Sequence, residues 1–144
     1  MSPAVRLACA ADMTAVYALR HAVFVLEQAV PPELERDDLD EVADHGLAEV
    51  EGAPLATGRL VAPGPDGGPG TIGRMAVRAD ARGRGLGGAV LALLEQTAAS
   101  RGWRSVELHA QVHAAGFYER VGYVPVGDVY LEAGIEHVSM RKDV

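Results

Sequence analysis

The segment Arg82-Gly83-Arg84-Gly85-Leu86-Gly87-Gly88 stands between a strand-like run, Thr71 to Val77, and an apolar stretch of helical period, Ala89 to Ala99. A chain that turns from strand to helix through glycines leaves the first N–H groups of the helix without partners and without Cβ atoms over them. The helix N-terminus also carries a partial positive charge, so an anion, a phosphate above all, settles there. This segment predicts a strand–loop–helix unit whose loop cradles phosphate, with Arg82 and Arg84 supplying charge.

The rest of the chain supplies elements to surround that unit. Val5 to Ala8 predicts a first strand, and Asp12 is placed to N-cap a helix whose apolar residues Met13, Val16, Tyr17, Val23 and Phe24 return at helical spacing until Pro31-Pro32. Glu33 to Asp44 holds either a short helix or an ordered loop. Strands near His45 to Val50 and Leu55 to Ala62 are joined at Glu51-Gly52-Ala53-Pro54 as a hairpin, and Pro63 to Gly70, with three prolines and four glycines, reads as an exposed loop.

From Leu86 onward an amphipathic helix carries Leu86, Val90, Leu93, Leu94 and Thr97 on one face and closes at Arg101-Gly102. Ser105 to Ala110 is the next strand, and the strand, helix and strand span about the 30 residues of a βαβ unit, so the two strands are expected to be parallel. A helix from Ala114 to Arg120 stops at Gly122, and strands around Tyr123 to Val126 and His137 to Lys142 close the chain. The expected class is α+β: one domain spanning 1–144, with a mixed, mostly antiparallel sheet, a central parallel pair and flanking helices.

Composition agrees and excludes several functions. A chain of 144 residues, 49% of them hydrophobic, is long enough to bury one core. No run reaches the ~20 apolar residues of a membrane helix, and the N-terminus lacks a signal-peptide layout, so a cytoplasmic protein is expected. Cys9 is the single cysteine, which excludes an internal disulfide and a multi-cysteine zinc site, and it reads as a small filler. A formal charge of −7 argues against nucleic acid or an anionic membrane as partner.

That charge is unevenly placed. Eight of the twenty acids fall between Glu27 and Asp44, a tract that reads either as solvated surface or as a hint of a cationic substrate. Arg74, Arg78, Arg82 and Arg84 crowd the glycine loop and read as functional, because that loop already suits anions.

Two phosphate fingerprints compete for the loop. Gly83, Gly85 and Gly88 satisfy G-x-G-x-x-G, with Glu107 roughly 20 residues on, the pattern of a nicotinamide-dinucleotide site. A dinucleotide loop follows its strand directly, however, whereas Arg78 to Arg82 intervene here and Glu107 lies inside a strand-like run. Arg82-x-x-Gly85-x-Gly87 fits better. With it the chain resembles the GNAT N-acyltransferase superfamily, and the likeness covers nearly all of its length. Leu108-His109-Ala110-Gln111-x-x-Ala114-x-x-Phe117-Tyr118-Glu119-Arg120-x-Gly122-Tyr123 is similar to the second half of that family's core. Three further stretches resemble its ElaA-like branch: Arg20-x-x-Val23-Phe24-x-x-Glu27-Gln28, then Glu33-x-x-x-Asp37-x-x-Asp40 with His45, and Glu132-Ala133-Gly134-Ile135-Glu136-His137-x-x-Met140.

The resemblance implies an N-acetyltransferase that moves acetyl from acetyl-CoA to a primary amine, on a small molecule or a peptide, by direct attack in a ternary complex. The loop from Arg82 through Gly83, Arg84, Gly85, Leu86, Gly87 and Gly88 would hold the diphosphate, while the backbone of Met75, Ala76 and Val77 pairs with the pantetheine arm. Tyr118 would be the general acid and reach the CoA sulfur: a phenol with an ordinary pKa of ~10 stays protonated where a thiol of ~8.5 is leaving. Phe117 reads as packing.

The general base is open among His109, Glu27 and His137, or water alone. An imidazole with its ordinary pKa of ~6.5 accepts a proton near neutral pH. Gln111 stands where many members have asparagine, which moves the amide near the pantetheine. A metal reading of His109-x-x-x-His113 fails, because two histidines four apart meet on a helix and these bracket a strand end. No metal is expected. Members often form homodimers, and the alternatives to catalysis are a non-catalytic acyl-CoA sensor or a nicotinamide-dependent protein.

Overall fold

The computed structural model describes residues 2–144. In chain order the elements are β1 (Ala4–Leu7), α1 (Met13–Arg20), α2 (Pro32–Glu35), β2 (Asp44–Val50), β3 (Ala53–Val61), β4 (Gly70–Val77), α3 (Leu86–Ser100), β5 (Ser105–Gln111), α4 (Ala115–Arg120), β6 (Val124–Glu132) and β7 (Ile135–Asp143). The strands form one seven-stranded sheet in the order β1-β2-β3-β4-β5-β7-β6. Neighbours are antiparallel except β4 and β5, the parallel pair expected of the βαβ unit through α3. This is the α+β class the sequence predicts, a mixed and mostly antiparallel sheet with one central parallel pair.

Local chemistry accounts for most boundaries. Glu51 and Gly52 both take left-handed backbone (φ 53° and 81°), which the twist of a two-residue hairpin requires, so β2 and β3 close tightly. Packing of α3 on the sheet uses missing side chains in β2 and β3: a Cβ on Gly46 or Gly58 would stand 3.1 Å from Val90 Cγ1. The buried face of α3 is Leu86, Val90, Leu91, Leu94 and Ala98, while Leu93 and Thr97, expected on it, are only half-buried. Thr97 keeps its hydroxyl on the Leu93 carbonyl at 2.8 Å, so its side chain is satisfied within its own helix.

Two expectations are corrected. Asp12 does not cap α1 with its side chain; it accepts from the Cys9 N–H at 2.8 Å and clamps the Arg6 guanidinium at 2.6 and 3.0 Å. The closing strands are longer than their hydrophobic pattern suggests, nine residues each, joined through Ala133 and Gly134. The sheet-edge strand β6 buries none of its residues, so no apolar alternation marks its length. Glu33 to Asp44, left open between helix and loop, holds α2 and a 3₁₀ turn over Asp38–Glu41.

The parallel pair is short, and this positions the site. β4 and β5 pair only from Gly70–Ile72 to Val106–Leu108, although β4 runs on to Val77 and β5 to Gln111. The register of β4 with β3 shifts between Thr57 and Arg59, and opposite that shift Arg74 adopts φ 52°. Such a bulge turns a strand sharply. The two strands splay apart past it, leaving one edge of β4 from Gly73 onward without a strand partner.

Candidate active site

A cleft of about 1290 Å³ fills the gap between the splayed strands. Its walls run from the glycine loop, along Arg74, Met75 and Val77 of β4, to His109 and Gln111 of β5 and His137 of β7.

At one end lies the loop before α3. Gly83 and Gly85 take left-handed backbone, φ 82° and 78°, and nothing stands within 4 Å of a Cβ built on either. The first helical hydrogen bond runs from the Ala89 N–H to the Gly85 carbonyl, 3.0 Å. Among the described residues, no carbonyl or side chain accepts from the N–H groups of Gly83, Gly85, Leu86, Gly87 and Gly88. Gly87 allows α3 to lie against β4, since a Cβ there would meet Val77 Cγ2 at 3.3 Å. The amides of Gly83, Gly85, Leu86, Gly87 and Gly88, at a helix N-terminus and all from residues that line the cleft, thus lack internal acceptors, a geometry suited to a diphosphate.

The arginines around this loop are engaged otherwise than expected. Arg82 donates to both Glu27 carboxylate oxygens at 2.6 Å and to the Val77 carbonyl at 3.1 Å, so it ties the end of β4 to the segment after α1. That segment, His21–Glu27, winds as a π-helix. Arg78 is paired with Asp80 at 2.6 Å, and Arg74 turns away from the loop, donating to the Glu35 carbonyl at 2.9 Å. Arg84 has one long contact, 3.4 Å to the Asp80 carbonyl, and is exposed beside the loop.

Part of the acidic tract is internal: of its eight carboxylates Glu35 and Asp40 are buried, and Asp37 is paired beside them. Arg20, 1% exposed, donates to Glu35 at 2.6 Å and to Asp40 at 2.7 Å; Arg59 donates to Asp37 at 2.7 Å and to Asp40 at 2.9 Å. Burial alone drives the Asp40 pKa up, but the donors from Arg20 and Arg59 outweigh it and hold the carboxyl well below the usual carboxylate range. Asp37 is lowered in the same way, its burial offset by Arg59 and then Arg74. The tract is thus divided: Glu33, Asp38 and Glu41 stay exposed, as a solvated surface would, whereas Arg20, Arg59 and Arg74 neutralise Glu35, Asp37 and Asp40 and build one wall of the cleft.

Tyr118 and Phe117 line the cleft from α4. Tyr118 packs edge-on against Phe117 and Tyr123, centroids 5.1 and 5.8 Å apart, while its hydroxyl has no acceptor among the described residues. Burial pushes its pKa above the ordinary phenol value. Gln111 donates to Gln28 Oε1 at 2.8 Å, and its own oxygen faces His113 Nε2 at 2.7 Å, which bridges β5 to the π-helical segment.

Of the three base candidates, Glu27 is held in the Arg82 pair, which lowers its pKa and weakens it as a proton acceptor. His109 and His137 instead share a carboxylate that the sequence reading gave no role. Glu132 at the end of β6 accepts from His109 Nδ1 at 3.1 Å and stands 3.6 Å from His137 Nε2. Its signal in the sequence is its place at the head of the ElaA-like stretch, five residues before His137.

The sequence profile of the family described as "Acetyltransferase (GNAT) domain" matches residues 9–144. The chain belongs to this family. Among its GNAT relatives, protein ElaA of Escherichia coli is 34% identical over 136 residues, covering 92% of this chain and 88% of ElaA. The crystal structure of E. coli ElaA matches with a TM-score of 0.86 at 29% identity, covering 98% and 99% of the two chains. This places the chain in the ElaA-like branch. An acyl-CoA N-acyltransferase from Pseudomonas aeruginosa, 36% identical, matches with a TM-score of 0.84 over 98% of both chains. GNAT proteins of this kind are acyl-CoA N-acyltransferases, and the amide row and unpaired β4 edge fit a donor with a diphosphate and an amide-bearing arm.

Proposed function

We propose that the chain is an N-acetyltransferase that carries acetyl from acetyl-CoA to a primary amine by direct attack in a ternary complex. The unpartnered amides of Gly83, Gly85, Leu86, Gly87 and Gly88 carry this reading, because a cleft-lining donor row at a helix N-terminus calls for an anion. They bind the diphosphate, with Arg84 beside them as exposed positive charge and Arg82 positioning the loop rather than touching phosphate. The free edge of β4, at Met75, Ala76 and Val77, takes the pantetheine amides as an added strand. Gln111, held by Gln28, narrows the far side.

Acetyl-CoA, when bound, supplies an activated thioester carbonyl. The chain supplies orientation and protons. The strand edge fixes the arm, and fixing two reactants in this way is worth up to ~7–11 kcal/mol of barrier. Tyr118, kept protonated by burial and with an unengaged hydroxyl, delivers the proton to the departing sulfur.

Thermal unfolding with and without ligand tests the donor site. CoA at 100 times its Kd is expected to stabilise by ~2.7 kcal/mol, and NAD or NADP not at all. Thiol release over a panel of amines then tests catalysis, and Tyr118→Phe is expected to lower kcat on the order of 100-fold while leaving CoA affinity unchanged. CoA binding without amine-dependent thiol release would leave a CoA-binding sensor instead of an enzyme. Stabilisation by NAD alone would overturn the donor assignment.

A further inference from the structure

The charges that line the cleft cancel, with one exception. Glu27 pairs with Arg82, Glu35 with Arg20, and Asp37 with Arg59 and Arg74. Among the described residues, no arginine or lysine lies within salt-bridge distance of Glu132; its neighbours are His109 and His137. Its carboxylate is therefore the uncompensated negative pole of the cleft.

The hydrogen bonds around it fix which atoms are free. The His137 ring is 7% exposed and its Nδ1 faces the Ile135 carbonyl at 2.7 Å. A carbonyl only accepts, so Nδ1 carries the hydrogen, and in the neutral ring Nε2 is left with its lone pair. Tyr130 stacks on this ring, centroids 6.1 Å apart and 24° between planes, and holds its orientation. By the same logic His109 Nδ1 donates to Glu132 Oε1 at 3.1 Å, which pins the carboxylate and leaves Oε2. Glu132 Oε2 and His137 Nε2 then face one another at 3.6 Å, two acceptors with no proton between them. Acceptors so placed accommodate one donor that serves both, seated at ordinary hydrogen-bond length of about 2.9 Å from each.

We infer that this gap is the docking point of the substrate amine: Glu132 Oε2 and His137 Nε2 receive a primary ammonium, and His137 then takes its proton. The inference rests on the acyltransferase reading above and names both its acceptor class, a cationic primary amine, and its base. The ammonium gives one proton to His137 Nε2, and the freed lone pair forms the N–C bond as the C–S bond breaks. The nitrogen sheds a second proton, the thiolate takes one through Tyr118, and one proton per turnover leaves to solvent. Negative charge that the acidic tract does not offer is thus supplied by a single carboxylate on the other side of the cleft.

Titration of n-propylammonium into the full chain, read at the histidine side-chain nitrogens by NMR, tests the docking without turnover. His137 Nε2 is expected to shift on saturation, propanol to have no effect, and Glu132→Gln to weaken the response on the order of tenfold. In steady state with acetyl-CoA, Glu132→Gln is expected to raise the amine KM and His137→Gln to lower kcat, with CoA-induced stabilisation unchanged in both. Glu132 is 46% exposed, so its substitution remains readable even if the buried His137 variant fails to fold. Equal propylammonium titrations in wild type and Glu132→Gln would overturn the inference. Wild-type KM and kcat in both variants, with CoA still stabilising, would overturn it alone, whereas loss of CoA stabilisation in the wild type would remove the acyltransferase reading itself.

Discussion

Replacing Arg20 by methionine probes the wall that carries α2 and Arg74 against the cleft. Arg20 is 1% exposed and reaches Glu35 through Nε at 2.6 Å and Nη2 at 3.0 Å, and Asp40 through Nη1 at 2.7 Å. Without it, Asp40 keeps Arg59 at 2.9 Å, but Glu35, 4% exposed, loses its cation, because Arg74 touches only its carbonyl. Breaking one partner of a buried pair typically costs about 3–5 kcal/mol, a large share of the ~5–15 kcal/mol that holds a domain together. For a chain of this size that is roughly 10–20 °C in Tm.

Denaturant unfolding measures the loss, and Arg20→Met/Glu35→Leu supplies the control: with both ends of the pair apolar, no charge is orphaned and part of the loss returns. The pH dependence follows from Asp40. Its folded pKa is depressed below the unfolded value, so the stabilisation is present above the unfolded pKa of ~3.9 and is lost as pH falls through the folded one. With Arg20 gone the depression shrinks, and the acid-unfolding midpoint rises. A single variant within ~1 kcal/mol of wild type, or a double variant no better than the single, would refute the cluster as the source of this rigidity.

Three further outcomes are expected. Gly85→Ala places a Cβ on left-handed backbone with no neighbour within 4 Å, so it costs about 1–2 kcal/mol of strain without a clash; its methyl over the amide row raises the Kd for CoA on the order of tenfold by calorimetry. Glu27→Gln removes a pair whose side chains are 43% and 41% exposed, so stability changes by less than ~1 kcal/mol, and kcat stays within about threefold, far from the ~100-fold loss of a missing base. Because burial raises the Tyr118 pKa, kcat/KM measured against pH is expected to show no basic-side loss below about pH 9, and an earlier loss would remove Tyr118 as the acid.

The glycine loop and amide row to which the donor is assigned above were legible because they are made of backbone. Gly83 and Gly85 occupy left-handed conformations that side chains resist, and Gly87 a contact with Val77 that a Cβ would crowd, so the glycines themselves announce the turn and the amide row. The parallel β4–β5 pair followed from the length of the connection through α3. Hydrophobic period also gave the core of α3, to within one residue of rotation, since Gly46 and Gly58 set how the helix seats and no periodicity reports a floor.

The part of the cleft proposed for the amine depends on which charge meets which, and spacing along the chain does not carry that. Arg82 reads as a phosphate ligand beside its glycines until the fold brings Glu27 to it from 55 positions away. Within the tract from Glu27 to Asp44, spacing does not single out Glu35, Asp37 and Asp40, which Arg20, Arg59 and Arg74 claim from three other elements. Gln111 meets Gln28 across 83 positions, and His109 meets Glu132 across 23 through the pairing of β5, β7 and β6. A tract of carboxylates is therefore a poor guide to substrate charge: the field in a cleft comes from what remains after pairing. Here that remainder is one glutamate between two histidines, on a strand whose exposure hid it from every hydrophobic pattern.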